Sequence, residues 1–152
     1  MDSLDMAGHL IRRLHQQSTQ IFVQRTQAAG FELTPVQFAA LDAIHAHPDT
    51  DQARVAELIA YDRATIGGVI ERLEQKGWIR RVVSQRDRRA RELSLTAKGR
   101  RVLSTLVPIV RELQDDILQP LGEADRACFL KLARQVVRQH PAAAALSAEP
   151  SG

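Results

Sequence analysis

The 152-residue chain is 44% apolar and only 4% aromatic, which excludes a wholly disordered chain and a stacking platform for single-stranded nucleic acid, since that needs several exposed rings. Net charge is only +3, but residues 78–101 hold nine cations against Asp87 and Glu92, so that segment is +7 and the remainder −4; a basic block on an otherwise acidic protein points to a polyanion partner. No apolar run of about 18 residues marks a membrane span. The N-terminal MDSLDMAGHLIRRL lacks the apolar core of a secretory leader, and Cys128 alone gives no internal disulfide. A cytoplasmic protein that needs no cofactor is expected.

Leu4, Ala7, Leu10, Ile11, Leu14, Ser18, Ile21 and Phe22 recur at helical spacing, predicting a helix over 4–29 that Gly30 ends. Thr34 and Pro35 suit the cap and first position of a second helix, which runs to the break at His47-Pro48-Asp49. A short helix over 52–60 turns inward Val55, Leu58 and Ile59. After the tight connection Tyr61-Asp62, with Asp62 as cap, a helix over 63–76 carries Ile66, Val69, Ile70 and Leu73 on one face, and Gly77 closes it. Residues 78–83 read as a strand, 84–90 as a polar, Arg-rich loop and 91–95 as the returning strand. Thr96 caps a long helix over about 97–118, which Pro108 should kink. Pro120-Leu121-Gly122 breaks the chain before a last helix over about 123–139. Residues 141–152, PAAAALSAEPSG, read as a disordered tail.

A short helix, a tight turn, a longer helix and a hairpin with a basic tip form the order of a winged helix–turn–helix. The fold class expected is mainly α with a small β-hairpin wing (α+β). It comprises one domain over 1–140, with a winged lobe over about 34–96 and dimerisation helices over about 4–29 and 97–139. In such a lobe the second helix presents its N-terminal residues to base edges in the major groove, and its free N–H groups and dipole favour phosphate. Arg63 and Thr65 point away from the Ile66/Val69/Ile70 face and are the natural contacts. Gly67 and Gly68 cost about 1 kcal/mol each relative to Ala inside a helix; close approach of the backbone to DNA is one reason for them, and close packing on a neighbouring helix is the other. The loop Arg86-Asp87-Arg88-Arg89 has no core to serve. Arginine entering a narrow minor groove supplies a reason for the cluster, with Asp87 pairing a neighbouring Arg to order the loop.

The stretches LTPVQFAALDAI (33–44), AELIAYDRATIGGVIERLEQKGWIRR (56–81) and DRRARELSLTAKGR (87–100) resemble the MarR-type regulators of antibiotic resistance and aromatic catabolism. The D-x-R wing followed by LT-x-x-G is the specific part. The resemblance implies a homodimer on a pseudo-palindromic duplex operator, autoregulated or divergent promoters, and release by a small, often aromatic and anionic effector. It matches Arg63, Thr65 and Arg72 to helix contacts with DNA and Arg86, Arg88 and Arg89 to the wing. Many members carry a polar pair such as Thr-Arg where this chain has Gly67-Gly68, so backbone or shape readout carries more here. HLIRRLHQ (9–16), LTPVQFAAL (33–41) and YDRATIGGV (61–69) are most similar to a subgroup governing breakdown of nicotinate-like and other aromatic acids.

The family's effector pocket lies between the DNA-reading lobe and the dimer helices. His9, Arg12, Arg13 and His15 on the first helix, and Phe38 and Asp42 on the second, are its candidates here, with solvated surface as the alternative for each. His45-x-His47 is too sparse for a zinc site. Cys128, beside Phe129 and Leu130, is expected as a buried structural thiol rather than a sensor. No phosphate loop, H-E-x-x-H or G-x-S-x-G marks an enzyme. A winged-helix adaptor that binds no DNA, or a regulator responsive to metal or redox state, is the rival reading.

Overall fold

The computed structural model describes residues 2–139, so the tail expected over 141–152 lies outside the described residues. A 3-10 turn, Ser3–Asp5, leads into α1 (Ala7–Ala28), followed by α2 (Pro35–Ala46), α3 (Gln52–Leu58), α4 (Ile66–Gln75), β1 (Ile79–Val83), β2 (Arg91–Leu95), α5 (Ala97–Ile117) and α6 (Glu123–Gln139). This is the expected mainly α fold with one β-hairpin. Among the described residues no helix is long and apolar enough to cross a membrane.

The caps explain the boundaries. Thr34 and Gln37 form a reciprocal capping box at the start of α2, with Pro35 in its first turn. Asp51 caps α3 by accepting from the Arg54 amide at 2.7 Å. Gly30 and Gly77, at φ 86° and 72°, end α1 and α4. Three boundaries differ from expectation. The helix expected over 4–29 begins at Ala7, because the chain before it forms a separate 3-10 turn with Asp2 accepting from the Leu4 amide. The helix expected over 52–60 stops at Leu58, because Ala60 turns left-handed at φ 53°. The helix expected over 63–76 begins as regular α-helix only at Ile66. The residues before it form a turn around Asp62, whose carboxylate accepts from the Ala64 amide at 3.3 Å and whose carbonyl accepts from the Thr65 and Ile66 amides. Asp62 thus organises this end from one turn further back. α5 continues through Pro108 as one helix.

The core lies between α2, α3, α4, the hairpin and α5. Leu41, Ile44, Val55, Ile66, Ile70, Leu73, Ile79, Leu93, Leu106 and Leu113 are all essentially inaccessible, each worth about 1.5–3 kcal/mol of apolar burial. α1 joins through Phe22, whose ring packs tilted on Phe38 with centroids 6.1 Å apart. Arg25 adds exposed ion pairs to Glu112 and Asp116, both at 3.4 Å, of small worth in solvent. β1 and β2 pair antiparallel with Ile79 opposite Leu95 and Val83 opposite Arg91. An unforeseen link stitches the outer side of β2 to the loop before α3, where the Leu93 amide donates to the Thr50 carbonyl at 2.7 Å.

The ends of the chain pack differently. Leu4 in the 3-10 turn, Met6 at the cap and Leu10, Ile11 and Leu14 in the N-terminal part of α1 are exposed, as are Leu130, Leu132, Val136 and Val137 on α6. Cys128 is exposed as well, which corrects the expectation of a buried thiol. Among the described residues nothing covers Leu130, Leu132, Val136 and Val137 of α6.

The LT-x-x-G motif has a mechanical role. The Thr96 amide donates to the Trp78 carbonyl at 3.0 Å, its hydroxyl donates to the Gly77 carbonyl at 2.6 Å, and the same hydroxyl accepts from the Gly99 amide at 3.0 Å. α5 thereby starts flush against the end of α4. A Cβ on Gly99 would lie 1.9 Å from the Trp78 carbonyl oxygen. Gly99→Ala should therefore lower the unfolding free energy by roughly 2–4 kcal/mol in urea titration. Gly122→Ala, where a Cβ meets nothing within 4 Å, should change it by less than about 0.5 kcal/mol. Equal stability of the two variants would contradict this role for Gly99.

Candidate nucleic-acid interface

The turn before α4, α4 itself and the wing loop carry exposed arginines without an ion-pair partner among the described residues. Arg63 and Thr65 are exposed in the turn that leads into α4, and Arg72 is exposed on α4 itself. Arg86, Arg88 and Arg89 are all exposed on the wing loop. Among the described residues none of these five arginines lies in an ion pair; of the nine cations over 78–101 only Arg81 does, with Glu74.

The glycine pair divides. A Cβ on Gly67 would meet only the Gln52 amide nitrogen, at 3.4 Å, and one on Gly68 would meet nothing within 4 Å. Close helix packing therefore does not explain Gly68.

The wing loop is pinned by side-chain oxygens that accept from its backbone amides. Asp87 accepts from the Arg89 amide at 3.0 Å and makes no ion pair with an arginine among the described residues. The expected Asp–Arg pairing is thus replaced by a turn of the Asx kind, which leaves the guanidinium groups unneutralised. Ser84, 5% exposed, is the centre of the knot. Its hydroxyl donates to Glu92 at 2.6 Å and accepts from the amides of Arg86 and Asp87 at 3.2 and 3.3 Å, while its own amide donates to the Ala90 carbonyl at 3.0 Å. Reading residues 84–90 simply as a polar loop passed over this anchor.

The root of the wing and the start of α4 share a cleft of about 350 Å³, where Arg63, Arg81 and Arg91 meet over Ile66 and Leu93. Arg81 and Arg91 were not singled out from sequence, though strand alternation carried the signal. Arg81 lies two residues from inward Ile79, and Arg91 two from inward Leu93, so both share the inner face of the hairpin. Arg72 lies on the side of α4 facing α2, lining clefts of about 510 and 360 Å³ that also share Thr34 and Gln37.

The expected effector residues lie elsewhere. His9 is half-buried on α1 with its Nδ1 3.2 Å from Arg12 Nη2. Arg13 and His15 are exposed on the same helix, Phe38 packs on Phe22, and Asp42 is exposed on α2. None of His9, Arg13, His15, Phe38 and Asp42 lines the clefts around Arg72. The three α1 residues instead share the stretch whose apolar side chains are uncovered in this chain.

A MarR family model matches residues 31–90. The HTH-type transcriptional repressor NicR of Pseudomonas putida is 32% identical over 136 residues, 90% of this chain and 85% of its own length. Two solved structures superpose with a TM-score of 0.81. The PcaV transcriptional regulator of Streptomyces coelicolor, in complex with its natural ligand, is 33% identical, with 91% of this chain and 96% of that one covered. BpsR of Bordetella bronchiseptica is 29% identical over 90% of this chain and 96% of that one; its structure concerns regulation of DNA binding by 6-hydroxynicotinic acid.

Ser84→Ala removes the centre of the wing knot. Unfolding free energy should fall by about 1–2 kcal/mol, and amide exchange should accelerate at Arg86, Asp87 and Arg89 while the α4 amides keep their protection. Unaltered exchange in the loop would show that something other than Ser84 holds it.

Proposed function

This chain belongs to the MarR family, and from that membership we propose that it is a transcriptional repressor that binds a pseudo-palindromic duplex operator as a homodimer and is released by a small aromatic acid. The observation that carries the reading is the unneutralised arginine on two neighbouring elements: Arg63 and Arg72 around α4, and Arg86, Arg88 and Arg89 on a wing whose loop amides are held by the side chains of Ser84 and Asp87. A loop pinned in this way loses less conformational freedom when its arginines meet phosphate or enter a minor groove. Arg63, Thr65, Gly67, Gly68 and Arg72 take the major-groove side, and Arg86, Arg88 and Arg89 the flanking minor groove.

The dimer reading draws on the uncovered apolar residues of α1 and α6, since so much exposed apolar surface at two chain ends favours burial against a second copy. Two α4 helices then sit in successive major grooves about 34 Å apart. NicR, a transcriptional repressor, supports the repressor half, and PcaV, solved with its natural ligand, and BpsR, whose DNA binding is regulated by 6-hydroxynicotinic acid, support the effector half. In this chain His9, Arg13 and His15 lie along the uncovered stretch of α1, with Phe38 and Asp42 on α2, and all five are proposed to meet the acid between lobe and dimer arm. Binding that favours a different separation of the two lobes weakens DNA affinity by the difference in its affinity for the two arrangements.

Two measurements test this reading. On a duplex spanning the promoter of its own gene, affinity of the wild-type protein should fall steeply with salt, with a log–log slope of roughly −0.9 per phosphate neutralised. Arg88→Ala and Arg89→Ala should each weaken binding with no change in oligomeric state. A flat salt response would favour the adaptor that binds no DNA. Separately, Leu14→Glu in α1, at a position already 37% exposed, should convert dimer to monomer by light scattering while retaining helical circular dichroism. A dimer undisturbed by that charge would remove α1 from the interface.

A further inference from the structure

We infer that Arg63, Arg81 and Arg91 form a cradle for a single backbone phosphate of DNA, in the notch where the wing root meets the start of α4; this rests on the DNA-binding reading above. The three residues come from three elements: the turn before α4, β1 and β2. Their side chains nonetheless line one cleft of about 350 Å³. Its acid is Asp51, whose carboxylate is engaged in capping α3 through the Arg54 amide at 2.7 Å. Arg63 and Arg91 have no ion-pair partner among the described residues. Arg81 lies 3.4 Å from Glu74 through Nε, yet that nitrogen is buried and makes no hydrogen bond. Of the three arginines lining this cleft only Arg81 has an acidic partner, Glu74, so the notch carries excess positive charge that an anion with several oxygen acceptors would offset. A phosphate is such an anion, and planar guanidinium forks suit it.

A phosphodiester and free inorganic phosphate share this chemistry. Duplex geometry favours the phosphodiester. With α4 in the major groove and the wing in the adjacent minor groove, the sugar–phosphate strand dividing the two grooves must cross the place where helix and wing join. The cleft occupies that place. Its residues are also fixed independently of DNA. Arg81 sits opposite Leu93 in the ladder and Arg91 opposite Val83, and Leu93 is held in turn by Thr50.

The test compares wild-type protein with Arg91→Gln, a change at an exposed residue outside the buried core, on the own-promoter duplex. Arg91→Gln should weaken binding about tenfold at fixed salt and flatten the log–log salt slope by about 0.9. A scan of single methylphosphonate substitutions, each removing one phosphate charge, should then find one position on the strand between the grooves that weakens wild type about as much. That substitution should leave Arg91→Gln unaffected, as expected for two halves of one contact. An unchanged slope, or methylphosphonates that weaken both proteins equally at every position, would overturn the cradle. So would inorganic phosphate raising the melting temperature of wild type but not of Arg91→Gln with the DNA slope unaltered, which would mark a free-anion site. A wild-type protein that binds no duplex would defeat the repressor reading itself, and this is visible before any variant is compared.

Discussion

The abutment of α5 on the Trp78 carbonyl is the constraint on which the rest of the molecule depends. Thr96 joins the first turn of α5 to both Gly77 and Trp78, and Gly99 lets the two backbones touch. α4 ends at this point, β1 begins there, and β2 returns to it. The angle between α4 and the hairpin is therefore set at the same junction that fixes both to the long helix. Packed interiors transmit displacement instead of absorbing it, so a shift of α5 must carry helix and wing together.

Charge is arranged on the same principle. Acids elsewhere in the chain are used locally: Glu57 with Arg54, Asp115 with Arg126, Glu112 and Asp116 with Arg25. On the wing the acids serve other ends. Asp87 accepts a backbone amide and Glu92 accepts a serine hydroxyl. The loop is ordered without neutralising its cations, and its field stays directed outward toward a polyanion.

Most of the fold was legible because apolar periodicity and capping residues agree along the chain. Thr34-Pro35, Thr96 and the closing Gly77 each marked a boundary that the structure keeps. What escaped lies in contacts between segments. The late start of α4 follows from Asp62 bonding amides two, three and four residues on, which propensity alone does not separate from a regular cap. The Asp87 pairing was assigned to arginine because charge is visible in sequence, whereas a free amide in a turn is not. Ser84 carried no signal of burial. Arg81 and Arg91 are in phase with inward Ile79 and Leu93, but arginine on a short strand reads as solvent-facing, and its chemistry masks what the alternation carries. The exposed position of Cys128 reflects how little of α6 the chain's own core can cover.

The link between Thr50 and Leu93 has a consequence for how the protein behaves when crowded. A two-stranded hairpin ordinarily offers two unpaired edges to any passing chain. Here the β2 side is engaged by Thr50, which leaves the β1 side as the open one, five residues long and beginning Ile79-Arg80-Arg81. Two copies approaching through that margin would bring arginine against arginine. The residues that make the lobe attractive to an acidic polymer thus also guard it against sheet-like aggregation with its own kind, and solubility and ligand affinity are served by the same charges.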